Sequence, residues 1–426
     1  MKYNKKYFFI KSLGCKQNAL EGQIIQNKMI DMGMILTNDI KKADIYILNS
    51  CTVTSHTDSE VNYLLNKAKK NNKNIKTVLM GCCAQTLKWH KDFDYSKADL
   101  ILGNNEKLKI EKYIKNLFTK EKSSFVQDIF DVKEFENEFL YNPTSTRTSI
   151  KIQDGCNNRC SYCIIPYARG NSRSNTIENI IKQINLVTKK NIKEIVLTGI
   201  HIGQWGLEWN LKLITLLKEI EKTQIHRYRL GSLYINELDD NMIDFLKNSK
   251  KFCPHFHLSL QSLCDKTLKN MNRNYTVNDA VRVIEKIHKN FELPYLGCDI
   301  IVGFPLETEK DFDITCKNIE KSRLSSVHAF PYSKRENTKA ALMPQIQDSV
   351  KTKRCQIMMN LSKKLHKDFL EKNKNSIQEI LIEKKSPKTG LYSAVTRNYI
   401  KISFKSENDN LRHSLKTVNL SEFELK

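Results

Sequence analysis

Three cysteines stand close together in the middle of the chain, and their spacing constrains the fold more than any other feature. Cys156, Cys160 and Cys163 form a C-x3-C-x2-C cluster after a short apolar run, Thr148–Gln153. Thiolates this close are expected to bind one metal centre, and without a nearby fourth ligand one coordination position stays open. A 4Fe–4S cluster fits this pattern. The alternative is a zinc knuckle, which needs a fourth Cys or His, and the next histidine is only His201.

Three further cysteines occupy equivalent positions in the first third of the chain. Cys15, Cys51 and Cys82 each come at the carboxyl end of an apolar run that predicts a parallel strand. Ligands bind at that edge of open α/β sheets, because the strand ends converge there. We therefore predict a second 4Fe–4S cluster on these three thiolates. The alternative is that they are small buried residues of the core. Cys83 is a weaker ligand candidate, because it lies one residue further past its strand.

The positive charge of the chain indicates a polyanionic partner. Its 426 residues give a net charge of +23, and Lys and Arg neutralise phosphates. Part of this charge has another origin, since Lys, Asn and Ile are abundant throughout, as in proteins from AT-rich genomes. The first arginine is Arg147, and several others lie near the cysteine cluster. This local group is the stronger indication, because guanidinium pairs bidentately with phosphate or carboxylate.

No apolar run approaches the roughly 18 residues of a membrane helix. The basic N-terminus contains only the short apolar stretch Tyr7–Ile10, which is too short for a secretory signal. The positions of the twelve cysteines fit metal binding in a reducing compartment better than a disulfide framework. We therefore expect a cytoplasmic protein with no membrane partner.

The apolar pattern predicts an α/β protein with an additional small β region. Residues 1–120 alternate strands and helices as a parallel α/β domain does, and residues 121–147 are polar and irregular, as in a linker. Residues 148–372 contain six strand candidates at spacings of roughly 30 residues, which predicts an open (βα)6 partial TIM barrel. Residues 373–426 change to short antiparallel strands and predict a small β-barrel.

The ordered motifs of the chain resemble those of the radical S-adenosylmethionine methylthiotransferases along nearly its whole length. The matching segments are SLGCKQNALE, LNSCTVT, MGCCAQ, IQDGCNNRCSYCIIPYARGNSRS, LTGIHIG, DIIVGFPLETE and FPYSKRENTKAA. The resemblance implies two 4Fe–4S clusters and S-adenosylmethionine as cofactors, with residues 148–372 as the radical S-adenosylmethionine core. The C-terminal region resembles a TRAM domain, a small RNA-binding β-barrel.

The sequences of the motifs IQDGCNN, LTGIHIG and FPYSKR most resemble those of one branch of this family. That branch adds a methylthio group to C2 of N6-threonylcarbamoyladenosine at position 37 of tRNA. The resemblance implies the anticodon loop of tRNAs reading codons that begin with A as substrate, and a flavodoxin or ferredoxin as electron donor. The alternatives are the isopentenyladenosine branch, the branch that modifies a ribosomal protein, and an iron–sulfur RNA-binding protein that has lost catalysis.

The resemblance and the residue types together predict further candidate site residues. Those expected to contact S-adenosylmethionine are Tyr162, Gly199, Gln261 and Gly303. Those expected to pair with the threonylcarbamoyl carboxylate or with phosphate are Arg147, Arg169 and Arg173. Those expected to contact RNA, through cationic groups and a stacking ring, are Lys384, Tyr392 and Arg397. Without a partner signal, three histidines are interpreted as core or surface residues: His201, His226 and His328.

The chain departs from the family pattern at several positions. Leu263, Leu306 and Asn337 stand where the family tends to have glycine, and Tyr234 stands for a glutamate. Glycine supplies backbone freedom at turns, so these substitutions concern the detailed cofactor contacts. All six candidate cysteine ligands are retained.

Overall fold

The first part of the chain forms a six-stranded parallel sheet with the order β2-β1-β3-β4-β5-β6. The computed structural model describes residues 5–89, 94–118, 121–143 and 145–426. The strands are β1 Tyr7–Ser12, β2 Ile35–Leu36, β3 Ile45–Ser50, β4 Lys76–Gly81, β5 Leu100–Leu102 and β6 Ser123–Phe125. The helices are α1 Lys16–Asp31, α2 Ser55–Asn71, α3 Cys82–Thr86 and α4 Ile110–Tyr113.

Both faces of this sheet are covered, as the continuous apolar run of β3 requires. Ile45 and Ile47 of β3 pack towards α1 and α4, whereas Tyr46 and Leu48 pack towards α2. The prediction of a parallel α/β region is therefore confirmed. The sequence did not indicate β2, which has only two residues, or β6, whose Ser-Ser-Phe sequence is polar. Strand β6 lies in the segment predicted as a linker and extends the sheet instead.

The central part contains six parallel strands in the order of the sequence. With a separate short pair, its strands are β7 Arg147–Lys151, the pair β8 Gln153–Asp154 and β9 Arg173–Ser174, then β10 Glu194–Thr198, β11 Arg227–Leu230, β12 His255–Gln261, β13 Tyr295–Val302 and β14 Ser326–Pro331. Two three-stranded parallel sheets, β7-β10-β11 and β12-β13-β14, are joined by parallel bridges from Tyr228 to Phe252 and from Leu233 to Leu258. The six parallel strands therefore run from β7 at one end to β14 at the other. This is the strand order that the predicted six-unit array requires. The short pair β8 and β9 is antiparallel and separate.

Helices alternate with these strands and bury their apolar faces in one large core. They are α5 Ile165–Arg169, α6 Ile177–Lys189, α7 Leu213–Glu221, α8 Asp240–Asn248, α9 Asp265–Asn270, α10 Val277–Asn290 and α11 Glu309–Lys321. The long helix α12, Asp348–Asn373, follows β14 and packs against it. Among the helices of the described ranges, none combines the length and the apolar character that crossing a bilayer demands.

The C-terminal part is a four-stranded antiparallel sheet with the order β17-β16-β15-β18. Its strands are β15 Ile377–Lys385, β16 Tyr392–Thr396, β17 Lys401–Phe404 and β18 Leu415–Asn419. Short antiparallel strands are what the sequence predicts for this region, although β18 is largely polar and exposed and has no apolar pattern. The identification of this C-terminal sheet as a TRAM domain stays a prediction.

Arginines at the start of the central strands attach this C-terminal sheet. Glu194 of β10 is fully buried and accepts hydrogen bonds from Arg227 at 2.7 Å and Arg229 at 2.8 Å. The same two guanidinium groups donate to the main-chain carbonyls of Val395 and Thr396, at 3.0 and 2.6 Å. One buried carboxylate therefore holds two cations that join the strand array to the C-terminal sheet.

Candidate active site between two cysteine triads

The first cysteine triad lies in the loop between β8 and α5. The main-chain N–H of Cys156 donates to Gly170 at 3.0 Å, and that of Cys163 donates to Cys160 at 3.1 Å. Gly155 adopts a φ of +71°, and a Cβ atom there would overlap the main chain of Asn171, so only glycine fits this turn. The loop therefore has its own hydrogen bonds, which orient the three thiols.

Two cationic side chains approach the sulfurs of this triad. Nδ1 of His201 lies 3.5 Å from Sγ of Cys156, and Nη1 of Arg273 lies 3.6 Å from Sγ of Cys160. Burial alone would lower the pKa of His201, but hydrogen bonds to Cys156 and Glu237 raise it to about 9. His201 is buried, in agreement with its interpretation as a core residue, but the structure also gives it two partners that the sequence did not indicate. It follows the carboxyl end of β10, the same position that identified the cysteines of the second triad.

The three cysteines of the second triad lie at the carboxyl edge of the N-terminal sheet, and their binding of a cluster stays a prediction. Cys15 follows β1 and precedes α1, Cys51 follows β3, and Cys82 begins α3 directly after β4. Gly14 has a φ of +89°, and a Cβ atom there would lie 2.5 Å from Sγ of Cys51. The absence of a side chain at Gly14 thus lets two of the three cysteine segments approach. Cys83 points instead into the apolar core beside α2.

The donor sets fit an iron–sulfur cluster better than a zinc ion. A tetrahedral zinc ion binds sulfur at about 2.3 Å, so its thiolates lie within about 4 Å of one another. Over the described residues, neither triad brings three sulfurs within 4.8 Å of one another. A cubane binds its three cysteines through three different irons, which suits thiolates that are farther apart.

A buried charged network lies against the second triad and includes Arg169 from the helix that follows the first. Arg169, at the end of α5, donates from Nε to Sγ of Cys82 at 3.3 Å and from Nη1 to Glu21 at 2.8 Å. Glu21 also pairs with Lys107 at 2.6 Å and with Lys151 at 2.8 Å. Burial alone would raise the pKa of the Glu21 carboxyl, but these three cations hold it well below its ordinary value.

A cavity of about 380 Å³ opens between the triads. Cys15 of one triad and Cys163 of the other both line it, together with Tyr162 and Gln261. The remaining wall is largely apolar and includes Ile301, Phe330, Pro331 and Tyr332. An apolar cavity of this size with a few polar groups is typical of a small-molecule or nucleobase site.

The two candidate glycines do not line this cavity. Gly199 lies just past β10, where a Cβ atom would come 2.9 Å from the carbonyl of Gln153. The N–H of Gly303 already donates to Glu307 at 2.7 Å, and Lys351 of α12 covers its Cα. For both residues the structure provides a packing reason, and contact with S-adenosylmethionine stays a prediction.

Most of the candidate substrate residues are engaged inside the protein. Arg147 binds Glu383 at 2.9 Å, and Arg173 donates to the carbonyls of Asn171 and Arg169. Arg397 donates to the carbonyl of Lys250 and so helps to attach the C-terminal sheet.

Burial separates the remaining two candidates for RNA contact. The ring of Tyr392 is 2% exposed and packs in the core of the C-terminal sheet, so the expectation that it stacks on a base needs correction. Tyr392 and Ala394 lie two residues apart on the same face of β16, and both pack in this core. Lys384 is exposed, as an RNA contact requires.

The residues that replace family glycines take two forms. Leu306 and Asn337 have φ values of +68° and +63°, in the left-handed region that favours glycine. Leu263 is fully buried in the large core and shows no such strain.

Tyr234 stacks on His201 with ring centroids 4.0 Å apart, and the guanidinium of Arg273 lies 3.9 Å from the ring centroid of Tyr234 on the other side. The tyrosine thus packs between the two cations that approach the first triad.

Two family profiles match the chain, and each match includes one of the two cysteine triads. A profile of the Radical SAM superfamily matches residues 150–319, which include Cys156, Cys160 and Cys163. A profile described as Uncharacterized protein family UPF0004 matches residues 7–103, which include Cys15, Cys51 and Cys82.

Curated relatives match over most of their length. Threonylcarbamoyladenosine tRNA methylthiotransferase MtaB of Aquifex aeolicus is 36% identical, with 92% of this chain and 95% of the relative covered. The protein of the same name from Bacillus subtilis is 33% identical, with 93% and 90% covered. The tRNA-2-methylthio-N(6)-dimethylallyladenosine synthase of Caldicellulosiruptor saccharolyticus is also 33% identical, with 92% and 85% covered.

Solved structures share the fold at low identity. The radical S-adenosylmethionine methyltransferase TsrM from Kitasatospora setae, with cobalamin and a [4Fe-4S] cluster bound, has a TM-score of 0.58 and 12% identity, with 80% of this chain and 77% of that chain covered. The cobalamin-dependent S-adenosylmethionine radical enzyme OxsB has a TM-score of 0.51 and 11% identity, with 87% and 56% covered. At these identities the likeness concerns the fold alone.

Proposed function

The chain belongs to the radical S-adenosylmethionine methylthiotransferases that modify tRNA, and from this premise we propose that its substrate is N6-threonylcarbamoyladenosine at position 37 of tRNA. The product is the 2-methylthio derivative, in tRNAs that read codons beginning with A. One observation carries the chemistry of this proposal: Cys15 of the second triad and Cys163 of the first line the same cavity. The choice of nucleoside is supported by the names of the relatives. A base held there would face both cysteine sites at once.

Each triad would hold one 4Fe–4S cluster, and the first would also hold S-adenosylmethionine at its open iron. These groups supply hydrogen abstraction and sulfur transfer when they are bound. The protein positions the reacting atoms and excludes water. Tyr162 and Gln261 would orient the nucleoside or the cofactor from the cavity wall, and the apolar side chains of Ile301 and Phe330 would keep water out.

The cations beside the first triad would stabilise its ligands. His201 and Arg273 approach the sulfurs of Cys156 and Cys160, and positive groups near a thiolate favour its ionised, metal-binding form. Tyr234 holds both cations in place through its two ring faces. This packing supports an intact catalytic centre despite the replaced glutamate, and it argues against an inactive RNA-binding protein.

The division of labour along the chain follows from this proposal. Residues 1–120 would serve the second cluster, residues 121–147 would connect them to the core, and residues 148–372 would form the radical core. Residues 373–426 would bind the anticodon loop as a TRAM-like domain, with the exposed Lys384 among the phosphate contacts. A flavodoxin or ferredoxin would supply electrons, and the tRNA substrate implies the cytoplasm.

Nucleoside mass spectrometry of tRNA from a strain that lacks this protein tests the proposal. We expect threonylcarbamoyladenosine to remain and its 2-methylthio derivative to disappear, with recovery on complementation. Loss of the 2-methylthio derivative of isopentenyladenosine would instead assign the chain to the branch of the Caldicellulosiruptor relative. No change in any tRNA nucleoside would reject a tRNA substrate and favour the ribosomal-protein alternative.

A further inference from the structure

A group of metal-ligand side chains lies in the central strand array, apart from both cysteine triads. It consists of His257 on β12, Asp299 on β13 and His328 on β14. Within the described ranges, it is the one set of three or more His, Cys, Asp or Glu side chains whose ligand atoms all lie within 4.8 Å of one another. The sequence gave no sign of it, because the residues are 42 and 29 positions apart along the chain.

Strand pairing fixes the relative positions of the three residues. In the parallel register, Asp299 is opposite His328, and His257 is opposite Gly297, two residues before Asp299. Side chains two residues apart on a strand share a face. Because Gly297 has no side chain, the imidazole of His257 can reach across towards Asp299. The three ligands therefore project from neighbouring strands of one rigid sheet.

The distances fit a metal ion, and only the His257–Asp299 separation is also that of an ordinary hydrogen bond. Nε2 of His257 lies 3.0 Å from one carboxylate oxygen of Asp299, and Nδ1 of His328 lies 3.6 Å from the other. Metal–ligand bonds of about 2.0–2.2 Å place neighbouring ligand atoms about 3.0–3.6 Å apart. A separation of 3.6 Å is too long for an ordinary N–H···O hydrogen bond.

One residue of the group reaches the candidate active site, whereas neither histidine lines that cavity. Asp299 itself lines the cavity between the two cysteine triads, and Ile301, on the same face of β13, lines it further along the strand. The side chain of His328 is 58% exposed, whereas those of His257 and Asp299 are 16% and 23% exposed. Two imidazoles and one carboxylate occupy one side of an ion and leave the other positions open.

We propose that His257, Asp299 and His328 bind one divalent transition-metal ion, such as zinc, whose open coordination positions face the cavity. An oxygen atom of a molecule bound in the cavity would fill those positions. Asp299 lines the cavity, and the other cavity walls are largely apolar and offer few ligand atoms. The carboxylate of the threonylcarbamoyl group is the candidate oxygen ligand, and this last step rests on the proposed function. The metal site itself does not.

Zinc binding to the cluster-loaded enzyme tests the site directly. With both 4Fe–4S clusters reconstituted anaerobically, the six cysteines are occupied and do not compete for zinc. After incubation with zinc and desalting, elemental analysis should find about one zinc per chain beside the cluster iron, as one three-ligand site predicts. The Zn K-edge spectrum should show nitrogen and oxygen ligands at about 2.0–2.2 Å, without sulfur at about 2.3 Å.

Three variants decide whether the zinc is at this group. His328→Ala and Asp299→Asn should each lose most of the bound zinc while the iron content stays unchanged. His226→Ala is the matched control, because it removes a histidine paired with Glu379 at 2.7 Å on another surface, and it should retain the zinc. No zinc in the unaltered enzyme, equal zinc in all variants, or sulfur ligands in the spectrum would each overturn the proposal. None of these results depends on which nucleoside the enzyme modifies.

Discussion

The Nε atom of Arg169 lies 3.3 Å from the sulfur of Cys82, while the two terminal guanidinium nitrogens of Arg169 bind the carboxylate of Glu21. Arg169 ends the helix that follows the first cysteine triad, and Cys82 belongs to the second. Both side chains are buried, as is Glu21. One guanidinium group from the helix after the first triad therefore contacts a cysteine of the second, and Glu21 holds that group in position.

Glu21→Gln should destabilise the protein strongly. The change leaves Arg169, Lys107 and Lys151 without their shared buried carboxylate, and removing one partner of a buried ion pair costs about 3–5 kcal/mol. Urea unfolding of the cluster-free protein at pH 7 measures this change. Glu219→Gln is the control, because Glu219 forms an exposed pair with Lys222 at 2.7 Å and should lose less than about 1 kcal/mol. A loss for Glu21→Gln as small as the control would show that the network contributes little.

The two triads should bind iron independently. Reconstituted protein should contain about eight iron atoms, and replacing either triad by alanine should leave about half of them, as expected for two cubanes. The variant without Cys15, Cys51 and Cys82 should still cleave S-adenosylmethionine to 5′-deoxyadenosine after reduction, but should form no methylthio product. Full iron retention in that variant would contradict the second cluster. Loss of cleavage as well would indicate a structural role for the N-terminal region.

Glu194 should make the protein sensitive to acid. Burial alone would raise the pKa of its carboxyl, but Arg229, Arg227 and Arg147 lower it from 4.5 to about 2. A carboxyl with a lowered folded-state pKa stabilises the protein above its unfolded pKa, and that contribution is lost as the pH falls through 4.5 towards 2. The shift corresponds to a contribution on the order of 3 kcal/mol at pH 7.

Unfolding free energies of the unaltered protein and Glu194→Gln, measured from pH 7 to pH 3, test this expectation. The difference between the two proteins should be largest near pH 7 and should shrink below about pH 4.5. Glu219→Gln should show no comparable trend, because Glu219 lies in an exposed pair. A difference for Glu194→Gln that stays constant across this range would contradict the assigned pKa shift.

Leu306→Gly should stabilise the protein. Leu306 has a φ of +68° and is 45% exposed, and the left-handed conformation costs a branched L-residue about 1–2 kcal/mol. Glycine removes that cost but is more flexible when unfolded, so the expected net gain is up to about 1 kcal/mol. Leu306→Ala keeps the Cβ atom and should show no gain. Thermal unfolding compares the two variants, and equal stabilities would show that the backbone at residue 306 is unstrained.

Local sequence patterns predicted the elements but not the contacts between distant segments. The six strands of the central array and both cysteine triads follow from apolar runs and from cysteines at strand ends, because each is encoded within a few residues. The Arg169–Cys82 contact and the His257–Asp299–His328 group depend on register between separate segments. A single sequence with no internal repeat does not reveal that register.

Contacts within the protein account for what the sequence does not indicate about the candidate substrate residues. Arginine suits phosphate and carboxylate, so the sequence predicts that Arg147, Arg173 and Arg397 contact substrate; in the structure they bind carbonyls and carboxylates of the protein, and substrate contact stays a prediction. The sequence indicates that a cation is present and does not indicate which anion lies nearest. Tyr392 shows the same limit, since an aromatic residue in a short strand can face either the core or the solvent.

Single-turnover methylthiolation of a defined tRNA tests the central claim most directly. Three reactions each contain the reconstituted enzyme, S-adenosylmethionine and a chemical reductant. The first contains a tRNA with threonylcarbamoyladenosine at position 37, and the second contains the same tRNA with unmodified adenosine. The third contains a tRNA with isopentenyladenosine. Digested nucleosides are then measured by mass spectrometry. We predict the 2-methylthio derivative in the first reaction and none in the other two. Product from the isopentenyladenosine tRNA alone, or no product from any of the three, would contradict the proposed function.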